Sequence, residues 1–295
     1  MQEPAHIQSF FDDATNTISY LVSDRATGLA AVIDPVLDFD PASGEVDTTS
    51  AEEILAAAKD GGMDIVLVLE THVHADHLSA APLFKARTNA KVGIGANIRQ
   101  VQKIFRPIFA ADDLLTDGSD FDHLFADGDE FQLGRLTFKV IATPGHTPAD
   151  VSYMVGNAVF VGDTLFMPDY GTARTDFPGG SAHQLYRSIK RLMALDPATR
   201  LFVGHDYKAP GRDEFRWETT VGEQREQNVH VGGARSEQEF VALREARDAT
   251  LGTPRLLLPA IQVNMRAGRF PPAVDNEVQY LRIPVKVKSK APASR

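Results

Sequence analysis

Short apolar runs alternate with amphipathic stretches along the first two thirds of the chain. Residues 65–69 have the sequence Ile-Val-Leu-Val-Leu, and such an unbroken apolar run is typical of a strand covered on both faces. Comparable runs predict further strands at residues 18–23, Leu29–Ile33, Leu136–Ala142, Val151–Val155, 158–162 and 200–203. The pattern therefore predicts an α/β chain, with Gly156-Asn157 as a hairpin turn between two of its strands.

Helical periodicity appears in the stretches between these runs. Ser181 precedes a stretch with one apolar face and is a preferred N-cap residue. Ser50 followed by Glu53 has the spacing of a capping box, and Gly61 is suited to end the helix that would follow. Residues 97–109 are also amphipathic, so a third helix is expected there.

The composition is that of an ordinary globular protein. Hydrophobic residues make up 43% and charged residues 24% of the 295 residues, so the chain can bury a normal core. The formal net charge is −10, which disfavours binding to nucleic acids and to anionic membranes. Because no apolar stretch approaches the ~20 residues of a membrane helix and the N-terminus has no targeting pattern, we expect a soluble, cytoplasmic protein.

A dense group of histidines follows the predicted strand at residues 65–69. Residues 71–77 have the sequence Thr-His-Val-His-Ala-Asp-His, which places His72, His74, Asp76 and His77 within six positions. The chain has no cysteine, so any bound metal must have nitrogen and oxygen ligands, and neutral imidazole and carboxylate provide these. The alternative is a solvated polar turn, which short motifs often prove to be.

Three further candidate ligands lie just beyond the ends of other predicted strands. They are His146, Asp163 and His205. Open α/β sheets bind ligands at the carboxyl ends of their strands. Taken singly, Asp163 could cap a turn and His205 could be a core histidine. Because four strand ends all offer only His or Asp, the sequence predicts a metal site.

This ordered set of motifs resembles the metallo-β-lactamase superfamily, whose signature is the His-x-His-x-Asp-His loop followed by later His, Asp and His ligands. The resemblance implies an αββα sandwich of two mixed sheets flanked by helices, with the site at one edge of the sheets. We expect a single domain over residues 1–295, with a C-terminal extension at about 208–285 and a flexible tail at 286–295. The fold alone does not select a reaction.

Further motifs resemble one branch of the superfamily, the persulfide dioxygenases. They are Ile-Asp-Pro-Val at 33–36, Thr-Pro-Gly-His-Thr-Pro at 143–148, Gly-Asp-Thr-Leu at 162–165, Arg-Thr-Asp-Phe at 174–177, Gly-His-Asp-Tyr at 204–207 and Asn-Met-Arg-Ala-Gly at 264–268. The family often has Gly-Cys-Gly before its Arg-Thr-Asp-Phe, whereas this chain has Gly171-Thr172-Ala173. That departure concerns the substrate pocket and none of the expected ligands.

The resemblance implies one Fe(II) per chain, held by His72, His146 and Asp163. It also implies that glutathione persulfide, O2 and water react to give sulfite and glutathione. The other members of the histidine group would form hydrogen bonds to these ligands or bind a second metal; they are His74, Asp76, His77 and His205.

The resemblance further suggests which residues bind glutathione. Arg174 and Tyr207 match positions that hold its glutathione moiety, since guanidinium grips carboxylates and a phenol can donate a hydrogen bond. An ion pair with Asp176 or Asp169 is the structural alternative for Arg174. Weaker candidates, each of which could instead be a solvated surface cation, are Lys208, Arg212 and Arg266.

Other functions fit part of this pattern. A glyoxalase II-like hydrolase of S-lactoylglutathione with two metal ions would use every predicted ligand, although Arg-Thr-Asp-Phe and His-Asp-Tyr favour the dioxygenase. A non-catalytic binding module on this fold would be expected to have damaged ligands, and a nuclease would be expected to have an extra domain and a basic surface. As partners we expect only the persulfide, O2 and a second copy of the chain in a homodimer.

Overall fold

The computed structural model describes residues 4–285, so the tail predicted at 286–295 lies outside the described residues. The helices of this range are α1 (Thr49–Asp60), α2 (Ala81–Thr88), α3 (Ile98–Ile108), α4 (Ala182–Met193), α5 (Val221–Gln227), α6 (Glu237–Asp248) and α7 (Leu257–Asn264). The strands are β1 (His6–Asp12), β2 (Thr17–Asp24), β3 (Leu29–Ile33), β4 (Val36–Asp40), β5 (Glu45–Asp47), β6 (Asp64–Leu69), β7 (Leu78–Ser79), β8 (Lys91–Gly95), β9 (His123–Phe125), β10 (Glu130–Leu133), β11 (Leu136–Ala142), β12 (Val151–Val155), β13 (Ala158–Phe160), β14 (Arg200–Phe202) and β15 (Glu218–Thr220).

Two six-stranded mixed sheets form the centre of the fold. The first has the order β1-β2-β3-β6-β8-β9, antiparallel from β1 to β3 and parallel from β3 to β9. The second runs in order from β10 to β15, and its only parallel pair is β13 with β14. The predicted hairpin at Gly156-Asn157 joins β12 to β13 and is confirmed.

The two sheets pack face to face, and helices cover their outer faces. Alternate residues of β2 point to opposite sides, as a strand requires: Ile18, Tyr20 and Val22 belong to the apolar cluster shared with the second sheet and α4. Leu21 belongs instead to the cluster shared with α1, α2, α3 and α7. The predicted αββα sandwich is therefore confirmed.

Two buried tyrosine hydroxyls link the sheets near the edge where the candidate ligands lie. Tyr20 of the first sheet donates a hydrogen bond to the carbonyl oxygen of Val203, just after β14, at 2.6 Å. Tyr153 of the second sheet donates to the carbonyl oxygen of Glu70, just after β6, at 2.9 Å. Each tyrosine buries an aromatic ring and satisfies a carbonyl group that would otherwise lack a partner.

The predicted helix caps have different outcomes. Ser181 caps α4 as predicted, because its hydroxyl accepts a hydrogen bond from the amide of Gln184. The capping box predicted at Ser50 is wrong, since Ser50 lies inside α1 and Thr48 is the N-cap residue. Asp38 of β4 accepts hydrogen bonds from both the amide and the hydroxyl of Ser50, at 3.0 and 2.7 Å. A carboxylate from another element thus takes the role predicted for a local side chain.

The predicted extension beyond residue 208 contains β15, α5, α6 and α7. Strand β15 pairs antiparallel with β14 and so completes the second sheet. Within residues 4–285, no helix combines the length and the apolar character that crossing a bilayer would need.

Candidate metal centre

The candidate ligands lie together at one edge of the sandwich. The loop at residues 71–77 follows β6 of the first sheet, whereas His146, Asp163 and His205 follow β11, β13 and β14 of the second. Gly162 allows these segments to meet: it has φ +49°, and a Cβ there would lie 2.5 Å from the hydroxyl oxygen of Thr71. A larger residue would therefore be both strained and in collision.

The first group of donors consists of His72, His146 and Asp163. Their ligand atoms lie within 4.8 Å of one another, and all three residues are buried. Oδ2 of Asp163 is 3.9 Å from Nε2 of His72 and 3.7 Å from Nε2 of His146, which is too long for hydrogen bonds. Burial, with the neighbouring His74 and His146, lowers the pKa of His72 well below its usual value. His72 is therefore neutral, which is the form that binds metal.

The second group consists of His74, Asp76, His77 and His205, whose ligand atoms again lie within 4.8 Å of one another. Nε2 of His205 is 3.2 Å from Oδ2 of Asp76 and 3.4 Å from Oδ1 of Asp163. Asp163 thus presents one carboxylate oxygen to each group of donors.

Several buried polar atoms of these two groups have no hydrogen-bond partner. They are Nε2 of His72, Nδ1 of His74, Nε2 of His77, Nε2 of His205 and Oδ1 of Asp163. Leaving a buried polar atom without a partner costs about 1–3 kcal/mol, so five at one place indicate a missing ligand. Metal ions would satisfy all five atoms, and imidazole nitrogen with carboxylate oxygen suits iron and zinc. The residues therefore fit a metal centre.

Hydrogen bonds on the far side of the rings orient two of these imidazoles. Nδ1 of His146 lies 2.8 Å from the carbonyl oxygen of Arg174, and Nδ1 of His205 lies 3.2 Å from that of Asn16. Because a carbonyl only accepts hydrogen bonds, Nδ1 carries the proton in each ring. Each Nε2 is therefore free to bind a metal.

His74 is oriented the other way round. Its Nε2 lies 3.0 Å from Asp34 and 3.4 Å from Glu70, so its Nδ1 faces the donors of the centre. Burial opposes a charge on His74, but these two carboxylates raise its pKa well above the usual value. Asp34 also accepts hydrogen bonds from the amide and hydroxyl of Thr71, at 2.7 and 2.8 Å, and so holds the start of the ligand loop.

The arrangement of these donors agrees with the comparison with known proteins. The model of the metallo-β-lactamase superfamily matches residues 13–205. This chain belongs to that superfamily. It is 52% identical to a "Beta-lactamase hydrolase-like protein" of Agrobacterium fabrum, covering 96% of this chain but 65% of that protein. It is 50% identical to a "Probable metallo-hydrolase" of Burkholderia pseudomallei, covering 95% and 98% of the two chains.

Other superfamily members carry names that specify a structure or a reaction. A crystal structure of ETHE1 from Myxococcus xanthus superposes with a TM-score of 0.73 at 33% identity, covering 90% of this chain and all of that one. Human "Persulfide dioxygenase ETHE1, mitochondrial" is 27% identical over 90% of this chain and 89% of that protein. The "Hydroxyacylglutathione hydrolase" of Rhodospirillum rubrum is 36% identical over 65% of this chain and 62% of that protein. The predicted resemblance to the persulfide dioxygenases is thus supported. The names of the similar proteins nevertheless refer to two different reactions, that of a persulfide dioxygenase and that of a hydroxyacylglutathione hydrolase.

In this metallo-β-lactamase superfamily protein, a cleft of about 320 Å³ opens onto the metal centre. Asp76, His146 and Asp163 form its floor. The aromatic residues of its walls are Phe166, Tyr170, Phe177 and Tyr207. Its cationic residues are Arg174, Arg244, Arg247 and Arg255. A protein of negative formal net charge thus places several arginines around the cleft beside the metal centre.

The structure places Arg174 and Tyr207 in this cleft. The guanidinium group of Arg174 forms two hydrogen bonds with Asp176, at 2.6 and 2.7 Å, and a third with the carbonyl oxygen of Gly252. The ring of Tyr207 stacks on His205 with centroids 5.5 Å apart. Burial and the negative charges of Asp76 and Asp163 raise the pKa of Tyr207 well above its usual value, so its phenol remains a donor.

The structure does not bring the three weaker candidates to the cleft. The ammonium group of Lys208 lies 4.0 Å from the ring centroid of Phe215. Arg212 forms ion pairs with Asp169 and Asp206. Arg266 pairs with Asp113 at 2.9 Å. Each cation has a partner that does not line the cleft. Contact of these residues with glutathione stays a prediction that this placement does not favour.

Three arginines that sequence reasoning missed lie in the cleft instead: Arg247, Arg255 and Arg244, the last of which pairs with Asp248. Arg247 is on α6, with its guanidinium 5.9 Å from the ring centroid of Tyr170, and Arg255 lies between α6 and α7. Arg255 also lies near Asp40, because its positive charge contributes to lowering the pKa of that carboxyl group. Since charged residues on a helix are usually solvated, no local sequence signal distinguishes these three.

Proposed function

We propose that this protein is a persulfide dioxygenase that converts glutathione persulfide, O2 and water to glutathione and sulfite at a single Fe(II). The observation that carries the proposal is the donor set His72, His146 and Asp163, of which the last two line the cleft. Two histidines and one carboxylate with open positions are typical of non-haem Fe(II) oxygenases. The similarity to human persulfide dioxygenase over most of the chain supports the same assignment.

The reaction balances without a further reactant. The terminal sulfur of the persulfide loses four electrons as it becomes sulfite, and O2 gains these four. Water supplies the third oxygen atom of sulfite and two protons. When bound, Fe(II) would supply positions for O2 and sulfur and the redox chemistry that joins them.

The residues of this chain would bind and orient the substrate. Arg247 and Arg255 are suited to the two carboxylates of glutathione because both line the cleft and guanidinium groups bind carboxylates. Tyr207 would donate a hydrogen bond from its phenol, and the rings of Phe166 and Phe177 would exclude water from the reacting end.

A specific observation also favours a second function, hydrolysis of S-lactoylglutathione at two metal ions. The second donor group is complete, and its buried Nε2 atoms of His77 and His205 have no hydrogen-bond partner. Two-metal sites lower the pKa of bound water and so generate a nucleophile. The hydroxyacylglutathione hydrolase among the similar proteins supports this alternative.

One experiment separates the two functions. Protein loaded with Fe(II) is given glutathione persulfide while O2 uptake and sulfite are measured, and a parallel sample is given S-lactoylglutathione. Equal amounts of O2 consumed and sulfite formed would support the dioxygenase. Thioester cleavage without O2 uptake, with two metal ions per chain, would support the hydrolase instead.

A further inference from the structure

A loop without regular secondary structure supports the first donor group. Residues 171–176 form neither helix nor strand, yet the carbonyl oxygen of Arg174 orients His146 from this loop. A loop this close to a metal ligand needs partners for its own backbone groups, since it has no ladder of hydrogen bonds to supply them.

Helix α6 supplies these partners through two buried side chains. Oδ2 of Asp248 accepts hydrogen bonds from the amide and the hydroxyl of Thr175, at 2.9 and 3.1 Å. Arg244 donates to the carbonyl oxygen of Thr172 at 2.9 Å and pairs with Oδ1 of Asp248 at 2.7 Å. Arg244 is 1% and Asp248 5% exposed, so water cannot replace either partner.

Thr172 and Thr175, at the two ends of the segment that α6 contacts, differ in how many hydrogen-bond partners they have. At Thr172, the amide also donates to Nδ1 of His230 at 3.0 Å, so Arg244 shares the task there. At Thr175, Asp248 is the acceptor of both donors. Asp248 therefore determines the position of the end that lies next to the carbonyl oxygen of Arg174.

We propose that Asp248 is a positioning residue for the metal ligand His146, which it orients through Thr175 and the carbonyl oxygen of Arg174. Arg244 holds the Asp248 carboxylate in place for this task. Both residues lie on α6, outside the segment matched by the superfamily model, which ends at residue 205. The inference rests on the metal centre alone and holds for either of the two functions proposed above.

The test measures metal affinity, which does not depend on knowing the reaction. The metal-free full-length protein is titrated with Co²⁺, whose d–d absorption reports ligand geometry as well as binding. Changing an outer hydrogen-bond partner of a ligand typically weakens metal binding about 10–100-fold. Because Asp248 acts through one further residue, Asp248→Asn is expected to weaken Co²⁺ binding about tenfold and to shift the absorption bands.

Two further variants make the test specific. Thr175→Val removes one of the two hydrogen bonds to Asp248 with little change of volume, and it is expected to weaken Co²⁺ binding less but in the same direction. Asp113→Asn is the matched control. It also removes the carboxylate partner of a buried arginine, Arg266, but this arginine lies outside the cleft. It is expected to leave the Co²⁺ affinity and spectrum unchanged.

The outcomes decide the proposal in each case. A folded Asp248→Asn protein with the affinity and spectrum of the original would overturn it. Equal weakening in Asp113→Asn would also overturn it, since the effect would then follow from any unpaired buried arginine. If Asp248→Asn does not fold, Thr175→Val decides: weaker binding supports the proposal and unchanged binding overturns it.

Discussion

The two donor groups of the metal centre have similar ligands but different surroundings. Two of the three residues of the first group, His146 and Asp163, line the cleft, whereas Asp76 alone of the second group's four residues does so. His77 and His205 of the second group are fully buried. A substrate can therefore reach a metal held by the first group directly. The two groups thus offer similar donors for a metal ion, but they differ in how far they open onto the cleft.

The two groups also depend on different parts of the chain. The first relies on residues 171–176 and, through them, on α6. The second relies on both ends of the chain: Asn16 accepts from His205, and Asn264 donates to the carbonyl oxygens of His74 and His77 at 2.9 and 2.8 Å. Asn264 and α6 lie beyond the superfamily match, whereas Asn16 lies within it, and the two groups are contacted through separate hydrogen bonds.

The largest effect is expected where the two groups meet. Asp163→Ala removes the carboxylate that faces both groups, so a metal ion held by either group should be lost and turnover should fall at least about 100-fold. Metal analysis of the purified variant, with circular dichroism to verify folding, would measure this. Retention of two metal ions would show that Asp163 is not shared.

The next comparison sets His146→Ala against His205→Ala. For a dioxygenase with one Fe(II), His146→Ala should abolish O2 uptake, and His205→Ala should retain it within about tenfold, as for an outer partner. O2 consumption and iron content of the two variants provide the measurement. Equal loss of O2 uptake in both variants would contradict the role of His205 as an outer partner and would show that its group of donors is also needed.

A smaller effect is expected at the cationic wall of the cleft. Arg247→Ala should raise the KM for glutathione persulfide about 5–10-fold with little change in kcat, since a partly exposed charged hydrogen bond is worth about 1–1.5 kcal/mol. Steady-state kinetics would be compared with Arg87→Ala, which breaks an exposed ion pair with Glu52 on other helices. An unchanged KM for Arg247→Ala would remove this residue from the substrate site.

The smallest effect concerns the pH dependence of protein stability. It arises from His230, which accepts a hydrogen bond from the amide of Thr172 in the loop that supports the first group. Burial and the nearby Arg244 and Arg247 lower the pKa of His230 to about 4 from its usual 6.5. Between pH 6.5 and 4, His230 of the unfolded chain therefore binds a proton that His230 of the folded chain does not, so the contribution of His230 to stability decreases as the pH falls through this range, by at most about 1.4 kcal/mol per pH unit.

Urea unfolding at pH 7 and pH 5 would test this expectation in the metal-free protein. His230→Gln keeps an acceptor for the amide of Thr172 but cannot be protonated, so its stability should change less between the two pH values. The same pH dependence in both proteins would assign the effect to other groups.

Much of the candidate metal centre could be predicted because its possible ligands follow strands whose apolar runs are evident. His146, Asp163 and His205 needed only the positions of their strand ends and the rule that these ends meet. Contacts between distant segments could not be predicted in this way. Asp113 lies 153 residues from Arg266, and no local pattern indicates that this pair forms.

The same limit explains the other differences. At the start of α1, Ser50 donates hydrogen bonds to Asp38 and does not act as the cap itself, because β4 lies next to this end of the helix. Arg247 and Arg255 lie in the cleft because α6 packs over residues 172–175, an arrangement that depends on the buried Arg244. Periodicity predicts which face of a helix is apolar, but it does not predict what its polar face meets.

The ligands of the metal centre come from both layers of the sandwich, His72 from the first sheet and His146, Asp163 and His205 from the second. A bound ion would therefore act as a cross-link between the sheets, close to the two tyrosine hydroxyls that already join them. Binding free energy at such a site becomes folding free energy. Metal binding should consequently slow amide hydrogen exchange in the strands of both sheets together, so that the two layers open as one cooperative unit.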